Sequence, residues 1–452
     1  MAITPVERKI MAEVGRRFDE MVDLTASLVR INTVNPYSGD DSAGLEKAGQ
    51  EFLARELEKA GAAVEFVQVP PDIYEQCGVL GPRGRSWKGR PNVVGWFQFP
   101  MGTVPPPGTV SSRSGRKSNR GQSQTAGLSS VRTLILNCHI DTVGNDGYEG
   151  DPFSAEVRDG KLWGRGSSDA KGNLAIGLVA IKAVAAVAGK ELSGRVAYES
   201  VVDEECNGAG AGTMACIKAG VVGDGCLALD GGGQCPYRGC NGVATPQVEV
   251  IGRSGHSAFG AVNAIDKLLL VKTAVDAFRE RRGAIDPPQP VNIGLIRGGT
   301  LPAIVPQRAV MQYNVNYRME DVDPAGPTPG AAVMREFERV VTEAADADPW
   351  LREHRPKITW LKDAPPYRIP DDLPIVRLAD QAYKDVLGSV PHHKLLAWGD
   401  AAHFWNLARI PVIGMGGTTA GTAHSSCEYV ELDGMLKNAK AVALAVYRFL
   451  VG

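Results

Sequence analysis

Apolar residues recur at helical spacing over residues 5–31, at Met11, Val14, Phe18, Met21, Leu24 and Leu28, before INTVNPYSGDD breaks the pattern. A second amphipathic stretch, 45–60, stops before Gly61 and leads into the short strand AVEFVQV. NVVGWFQF (92–99) and VRTLIL (131–136) read as further strands. Strand and helix then alternate: a strand to Asn137, a helix over 171–188, a strand over 196–202, a helix over 209–219 and a strand over 226–229. This alternation predicts an α/β fold whose mostly parallel sheet carries helices on both faces.

From about residue 243 the rhythm changes. It becomes strand (245–251), long helix (263–282), strand (291–296), strand (309–317), helix (330–345) and strand (358–361). That β-α-β-β-α-β order is the ferredoxin-like pattern, and it forms a compact unit of its own. After Asp363 the earlier style returns and closes with a helix over 434–450. The expected organisation is a large domain in two pieces, 1–242 and 364–452, with a smaller one, 243–363, inserted between them. A chain of 452 residues exceeds the size at which single cores stop growing, which also favours two domains. The stretch 100–130 is rich in Gly, Ser, Pro and Arg with few large apolar side chains, and it predicts a mobile surface loop.

Composition narrows the setting. Formal net charge is −2, so neither a nucleic acid nor an anionic membrane is expected as partner. The one basic stretch, at Arg113, Arg116, Lys117 and Arg120, lacks aromatics to stack on bases and reads as a solvated loop. The eight cysteines (Cys77, Cys138, Cys206, Cys216, Cys226, Cys235, Cys240, Cys427) include no C-x-x-C pair, and several lie in apolar runs. That usage favours free thiols in a reducing compartment. The N-terminal stretch has no apolar signal core, and the most apolar helix, 174–188, is short for a bilayer and contains Lys182. A cytoplasmic protein is the expectation.

Metal-competent side chains recur directly after strand patterns. His139 and Asp141 follow LILNC, Asp169 sits in GRGSSDAKG, Asp203-Glu204-Glu205 follows VAYESVV, and Asp230 follows CLAL. Ligands of open parallel sheets bind outside the carboxyl ends of the strands, so these groups should converge on one crevice. His424, in the Gly-rich stretch leading to AHSSCEYV, completes a candidate set. Singly, each has a plainer explanation: a His-x-Asp pair is usually hydrogen-bonded surface, and a Glu-Glu pair a solvated turn. Together they are costly to desolvate unless cations neutralise them, which a dinuclear metal site would do.

HIDTV, GRGSSDAKG, the Asp-Glu-Glu after a strand and the late Ala-His resemble the metallopeptidase family of acetylornithine deacetylase, succinyl-diaminopimelate desuccinylase, aminoacylase and glutamate carboxypeptidase. The resemblance covers nearly the whole chain, including SGHSA and the GGT…VP stretch of the insertion. It implies an amide hydrolase with two zinc ions per chain, for which cobalt or manganese could substitute. It also implies a homodimer through the inserted domain, which would serve as lid. By position, Asp169 would bridge the ions, Glu205 and His424 would complete one site, and His139 and Asp230 the other. Asp141 would fix the His139 ring through its other nitrogen, and Glu204 would be the general base.

In the insertion, the resemblance makes His256 an oxyanion-stabilising residue, often supplied by the neighbouring subunit; the plainer reading is a hydrogen-bonded loop histidine. Arg318 would anchor a substrate carboxylate, for which its planar fork suits it; the plainer reading is a surface salt bridge. One departure concerns GGTLPAIVP, where Ala303 replaces the family's usual Asn and its side chain offers no hydrogen bond. The expected substrate is a small N-acylated amino acid or dipeptide-like amide. A carbamoyl-amino-acid amidohydrolase and a non-catalytic binding protein are the alternatives, the latter opposed by the complete ligand set.

Overall fold

The computed structural model describes residues 3–41, 43–100, 131–231, 234–417 and 422–452. The loop expected at 100–130, with its basic stretch, therefore lies outside the described residues except for Pro100.

Among the described residues, nine strands form the large sheet. Its order is Ala63–Val67, Asn92–Phe99, Gly194–Val201, Thr133–His139, Gly225–Ala228, Val412–Gly414, Tyr237–Cys240 and Tyr367–Arg368, with Lys394–Leu396 beside Tyr237–Cys240. Gly194–Val201, Thr133–His139, Gly225–Ala228 and Val412–Gly414 are parallel neighbours and make the centre of the sheet. Antiparallel pairings flank them on both sides. Thr133–His139 is buried along nearly its whole length, as a strand covered on both faces must be, and so it reads as an apolar run without alternation.

Gly172–Ala188 is apolar all round because it is a core helix, enclosed by the sheet, Leu432–Val451 and the two N-terminal helices. Gly177 permits the close approach: a Cβ there would lie 2.6 Å from Leu229 and 3.1 Å from Tyr198. The periodic run 5–31 is two helices, Pro5–Arg16 and Phe18–Arg30. At Arg17 the backbone leaves helical geometry, and its N–H turns back to Glu13 and Val14. Apolar spacing survives the break because both helices pack on the same core.

The smaller sheet has the order Val291–Gly298, Arg308–Tyr317, Gly242–Ile251, Lys357–Ala364, every pair antiparallel. This is the ferredoxin-like arrangement that the element order predicts. Val248, Val250, Met311 and Tyr313 point into a separate hydrophobic cluster with Leu268, Val271 and Phe278 of Ala264–Gly283 and Phe337 of Ala331–Ala347. A third, three-stranded sheet joins Glu156–Arg158, Lys161–Trp163 and Tyr429–Glu431. It brings the segment after His424 against the Gly-rich loop before Asp169.

Candidate metal centre

The central parallel strands end at one place. Thr133–His139 delivers His139, Gly194–Val201 runs into the loop with Glu204 and Glu205, and Gly225–Ala228 ends just before Asp230. Two groups of potential ligand atoms result, His139 with Asp169 and Asp230, and Asp169 with Glu205 and His424; within each, the atoms lie within 4.8 Å of one another. His139 Nε2 is 3.0 Å from Asp169 Oδ1 and 3.6 Å from Asp230 Oδ1. His424 Nε2 is 3.3 Å from Asp169 Oδ2 and 3.0 Å from Glu205 Oε1. Asp169 thus gives one carboxylate oxygen to each group.

These separations suit a cation. With metal–ligand bonds of about 2.1 Å, the edge of a zinc tetrahedron is about 3.4 Å, close to the distances above. The charges point the same way. Against the penalty of burial, hydrogen bonds to Asp169 and Asp230 push the His139 imidazole well above its ordinary pKa. The carboxylate of Glu205 does most to raise His424, to about 12. Burial pushes Glu205 up to about 7, and it raises Glu204 strongly, with Asp230 and Glu205 adding repulsion. The pocket gathers more negative charge than it can hold without protons or cations, and its donors are imidazole and carboxylate, the set zinc prefers.

The framework around these groups explains their placement. Glu428 is buried and accepts from Gly166 N, Ser168 N and Asp169 N, each at 3.0 Å, from Ser168 Oγ at 3.1 Å and from Arg165 Nη1 at 2.9 Å. It fixes the backbone on which Asp169 rides. Sequence reasoning missed it, although it stands four positions after His424 in AHSSCEYV. The His139 ring is tied to Asp141 by the main chain and not by the carboxylate. Its Nδ1 lies 2.9 Å from the backbone carbonyl of Asp141, whereas the Asp141 carboxylate is 3.8 Å away. That carboxylate accepts instead from Asn35 Nδ2 at 2.7 Å, Glu205 N at 3.2 Å and Glu204 N at 3.4 Å. The Asp141 carboxylate organises the Glu204–Glu205 loop because those amides, and not the ring, lie within hydrogen-bond distance of it.

The residues singled out in the insertion lie apart from this cluster. His256 is exposed on a two-residue strand paired with Ile304–Val305, and its Nδ1 accepts from Ala258 N at 3.1 Å. Among the described residues no hydrogen bond or ion pair joins it to the ligand groups. Ala303 lies beside the same ribbon, its carbonyl accepting from Ser257 N at 3.1 Å. Arg318 is half-buried, its Nη2 3.4 Å from Asp321 Oδ1 and its Nε 3.9 Å from Glu320. It lines a cavity of about 200 Å³ with Asn241, Tyr367 and Arg368.

Residues 135–448 match the model of peptidase family M20/M25/M40, and the chain belongs to that family. It is a metal-dependent hydrolase acting on amide bonds of small substrates. It is 25% identical to the N-formyl-4-amino-5-aminomethyl-2-methylpyrimidine deformylase of Halalkalibacterium halodurans over 98% of this chain and 97% of that one. In structure it resembles human carnosine dipeptidase 1, with a TM-score of 0.70, 17% identity and 100% of both chains covered. It also resembles a dinuclear metal binding peptidase of the M20 family from Bacillus subtilis, with a TM-score of 0.56, 16% identity and coverage of 96% and 99%.

Proposed function

We propose that this chain is a two-zinc deacylase that removes a small acyl group, formyl first among candidates, from the amine nitrogen of a small molecule. The observation that carries the two-metal reading is the Asp169 carboxylate, shared between the His139–Asp230 and Glu205–His424 groups. The nearly full-length likeness to a deformylase supports the choice of acyl group. Two features weaken the case for an amino-acid substrate: Arg318 is drawn toward Asp321 and Glu320, and Ala303 has no side-chain donor. A carboxylate-free amine asks for neither contact.

In this reading His139 and Asp230 would hold one ion and Glu205 and His424 the other, with Asp169 contributing to both groups. Two divalent cations so held would supply an acidified water and a Lewis acid for the amide carbonyl. Glu204 accepts the proton of the attacking water and returns it to the leaving nitrogen. Asp141 keeps Glu204 and Glu205 in register through their amides. His256 donates to the carbonyl oxygen, from its own chain or a partner's. A cytoplasmic homodimer belongs to the same proposal. The edge strand Val291–Gly298 pairs on one side only among the described residues, and Phe259, Leu301 and Ile304 nearby are exposed apolar side chains.

The test is metal analysis joined to a substrate screen. The protein should carry close to two zinc-type ions and lose activity, but not its fold, on chelation, since its core does not depend on metal. Among N-formyl, N-acetyl, N-succinyl and N-carbamoyl compounds and dipeptides, N-formyl amines should turn over fastest. Full activity in metal-stripped protein refutes the mechanism; preference for dipeptides or N-carbamoyl compounds refutes the substrate class alone.

A further inference from the structure

The loop after strand Gly194–Val201 carries an unusual backbone. Asp203, Cys206 and Asn207, none of them glycine, have φ of 73°, 57° and 59°, a region disfavoured for residues with a Cβ. Such a loop keeps its shape only where its surroundings restrain it. The Glu205 side is restrained by Asp141 Oδ2, which accepts from Glu205 N at 3.2 Å, and by Asn35 Nδ2, which reaches Glu205 O at 3.5 Å.

The flanks of the loop are held by other groups. Tyr74 and Arg85 both donate to the buried Asp203 carboxylate, and Arg85 also donates to Cys206 O. Lys362 Nζ donates to Gly208 O at 3.0 Å. Lys362 is buried, with the Trp398 ring 5.4 Å from its ammonium. It stands near the end of Lys357–Ala364, the strand by which the chain leaves the smaller sheet. Its neighbour Asp363 is anchored in turn: its N–H donates to Leu80 O at 2.7 Å, and its carboxylate accepts from Tyr317 OH at 2.6 Å and Gly330 N at 2.8 Å. Leu80 opens the segment that contains Arg85.

We propose that Lys362 is a positioning residue for Glu204, tying the exit strand of the smaller sheet to the loop that carries the base. The inference rests on Glu204 being that base. Asp141 also accepts from Glu204 N, at the longer 3.4 Å, whereas Glu205 is held in addition by Asn35 and Gly208 N on its carbonyl and by His424 on its carboxylate, so loss of Lys362 displaces Glu204 more than the ligand beside it. A buried lysine in a strand tail reads from sequence as a solvated charge, so only the structure exposes this contact.

The experiment uses metal-loaded full-length protein and the fastest substrate of the screen above. Lys362→Met keeps the aliphatic stem and removes the donor. It should retain both ions and the fold, lower kcat about 10- to 100-fold, as small misplacements of a catalytic group do, and change KM little. Lys362→Arg should recover part of the loss. In a Glu204→Gln background, Lys362→Met should cost nothing further, because its effect passes through Glu204. Should Lys362→Met fail to fold, Lys362→Gln reads the same outcomes. Wild-type kcat, loss of metal in step with activity, or a loss that multiplies with that of Glu204→Gln would each overturn the proposal. If Glu204→Gln itself turned over normally, the assignment of the base would fail instead.

Discussion

Replacing Glu428 by Gln changes one atom and should empty both metal positions. The two carboxylate oxygens of Glu428 have separate duties: Oε1 accepts from Ser168 N, Ser168 Oγ and Asp169 N, and Oε2 from Gly166 N and Arg165. In the better of two orientations, the new amide nitrogen stands at Oε2 and turns its own N–H groups toward two donors. Gly166 N–H then lacks an acceptor in a buried place, costing ~1–3 kcal/mol. Arg165, 2% exposed, loses its carboxylate partner, and an unpaired buried charge costs ~3–5 kcal/mol. The sum, roughly 4 kcal/mol or more, is a large share of the ~5–15 kcal/mol that holds a domain folded. The loop escapes by rearranging, and Asp169 moves with it. Because Asp169 serves both groups, the ions should be lost together and not one at a time. Metal stoichiometry after dialysis and the urea midpoint of the metal-free protein read the two effects. Ser168→Ala, which removes the hydroxyl contacts to Glu428 at 3.1 Å and Thr422 at 3.4 Å and leaves the backbone bonds, should cost about 0.5–1.5 kcal/mol and keep both ions. A Glu428→Gln protein with two ions and a wild-type midpoint would refute the account.

Two further outcomes follow from burial and from the insertion. Burial raises Glu199 to about 8; Asn137 donates to its Oε2 at 2.8 Å, and its Oε1 has no hydrogen-bond partner among the described residues. The folded state therefore binds a proton that the unfolded chain releases near 4.5, so this contribution to stability is full below about 4.5 and lost as pH rises through about 8. Glu199→Gln should flatten that part of the pH–stability curve by a few kcal/mol, on the order of 1.4 per unit; an unchanged slope counts against it. His256→Ala should keep its metal and lower kcat more than it raises KM, a lost oxyanion donor being worth ~3 kcal/mol. If a partner supplies this histidine, mixing inactive His256→Ala and Glu204→Gln chains should restore part of the activity. No recovery despite verified subunit exchange would place it in its own chain or outside the reaction.

The sequence makes the long elements readable and leaves the short ones hidden. Gly242–Ile251 and Arg308–Tyr317 are ten residues long and alternate polar and apolar side chains over 247–250 and 311–317, enough to reveal the ferredoxin-like order. Tyr367–Arg368 and Lys394–Leu396 are two and three residues long and carry no period, so edge strands of the large sheet go unseen. His139, Glu205 and Asp230 stand out because metal-competent side chains follow apolar strands, and Asp169 and His424 because they sit in Gly-rich stretches. Glu428 and Lys362 look like solvated charges, and Asp203 like one more metal-competent acid after a strand; their burial is set by chain segments far away in sequence. Asp141 shows the limit from another side, for its position was legible and the atoms it binds were not.

The chain enters the smaller sheet and leaves it at neighbouring backbone positions, Val243 opposite Ala364 in the register of adjacent strands. Its hydrophobic cluster is also separate from that of the large sheet. An insertion whose two stubs stand one strand spacing apart, about 4.8 Å, behaves as a graft: it can be lengthened, trimmed or exchanged as long as the stubs stay paired. Drift on its outer surface leaves the ligand groups undisturbed, so a lineage can revise what it recognises without relearning how to hydrolyse. The last residues before the outgoing stub, with Lys362 on Gly208, are where such a graft would have to remain compatible with its host.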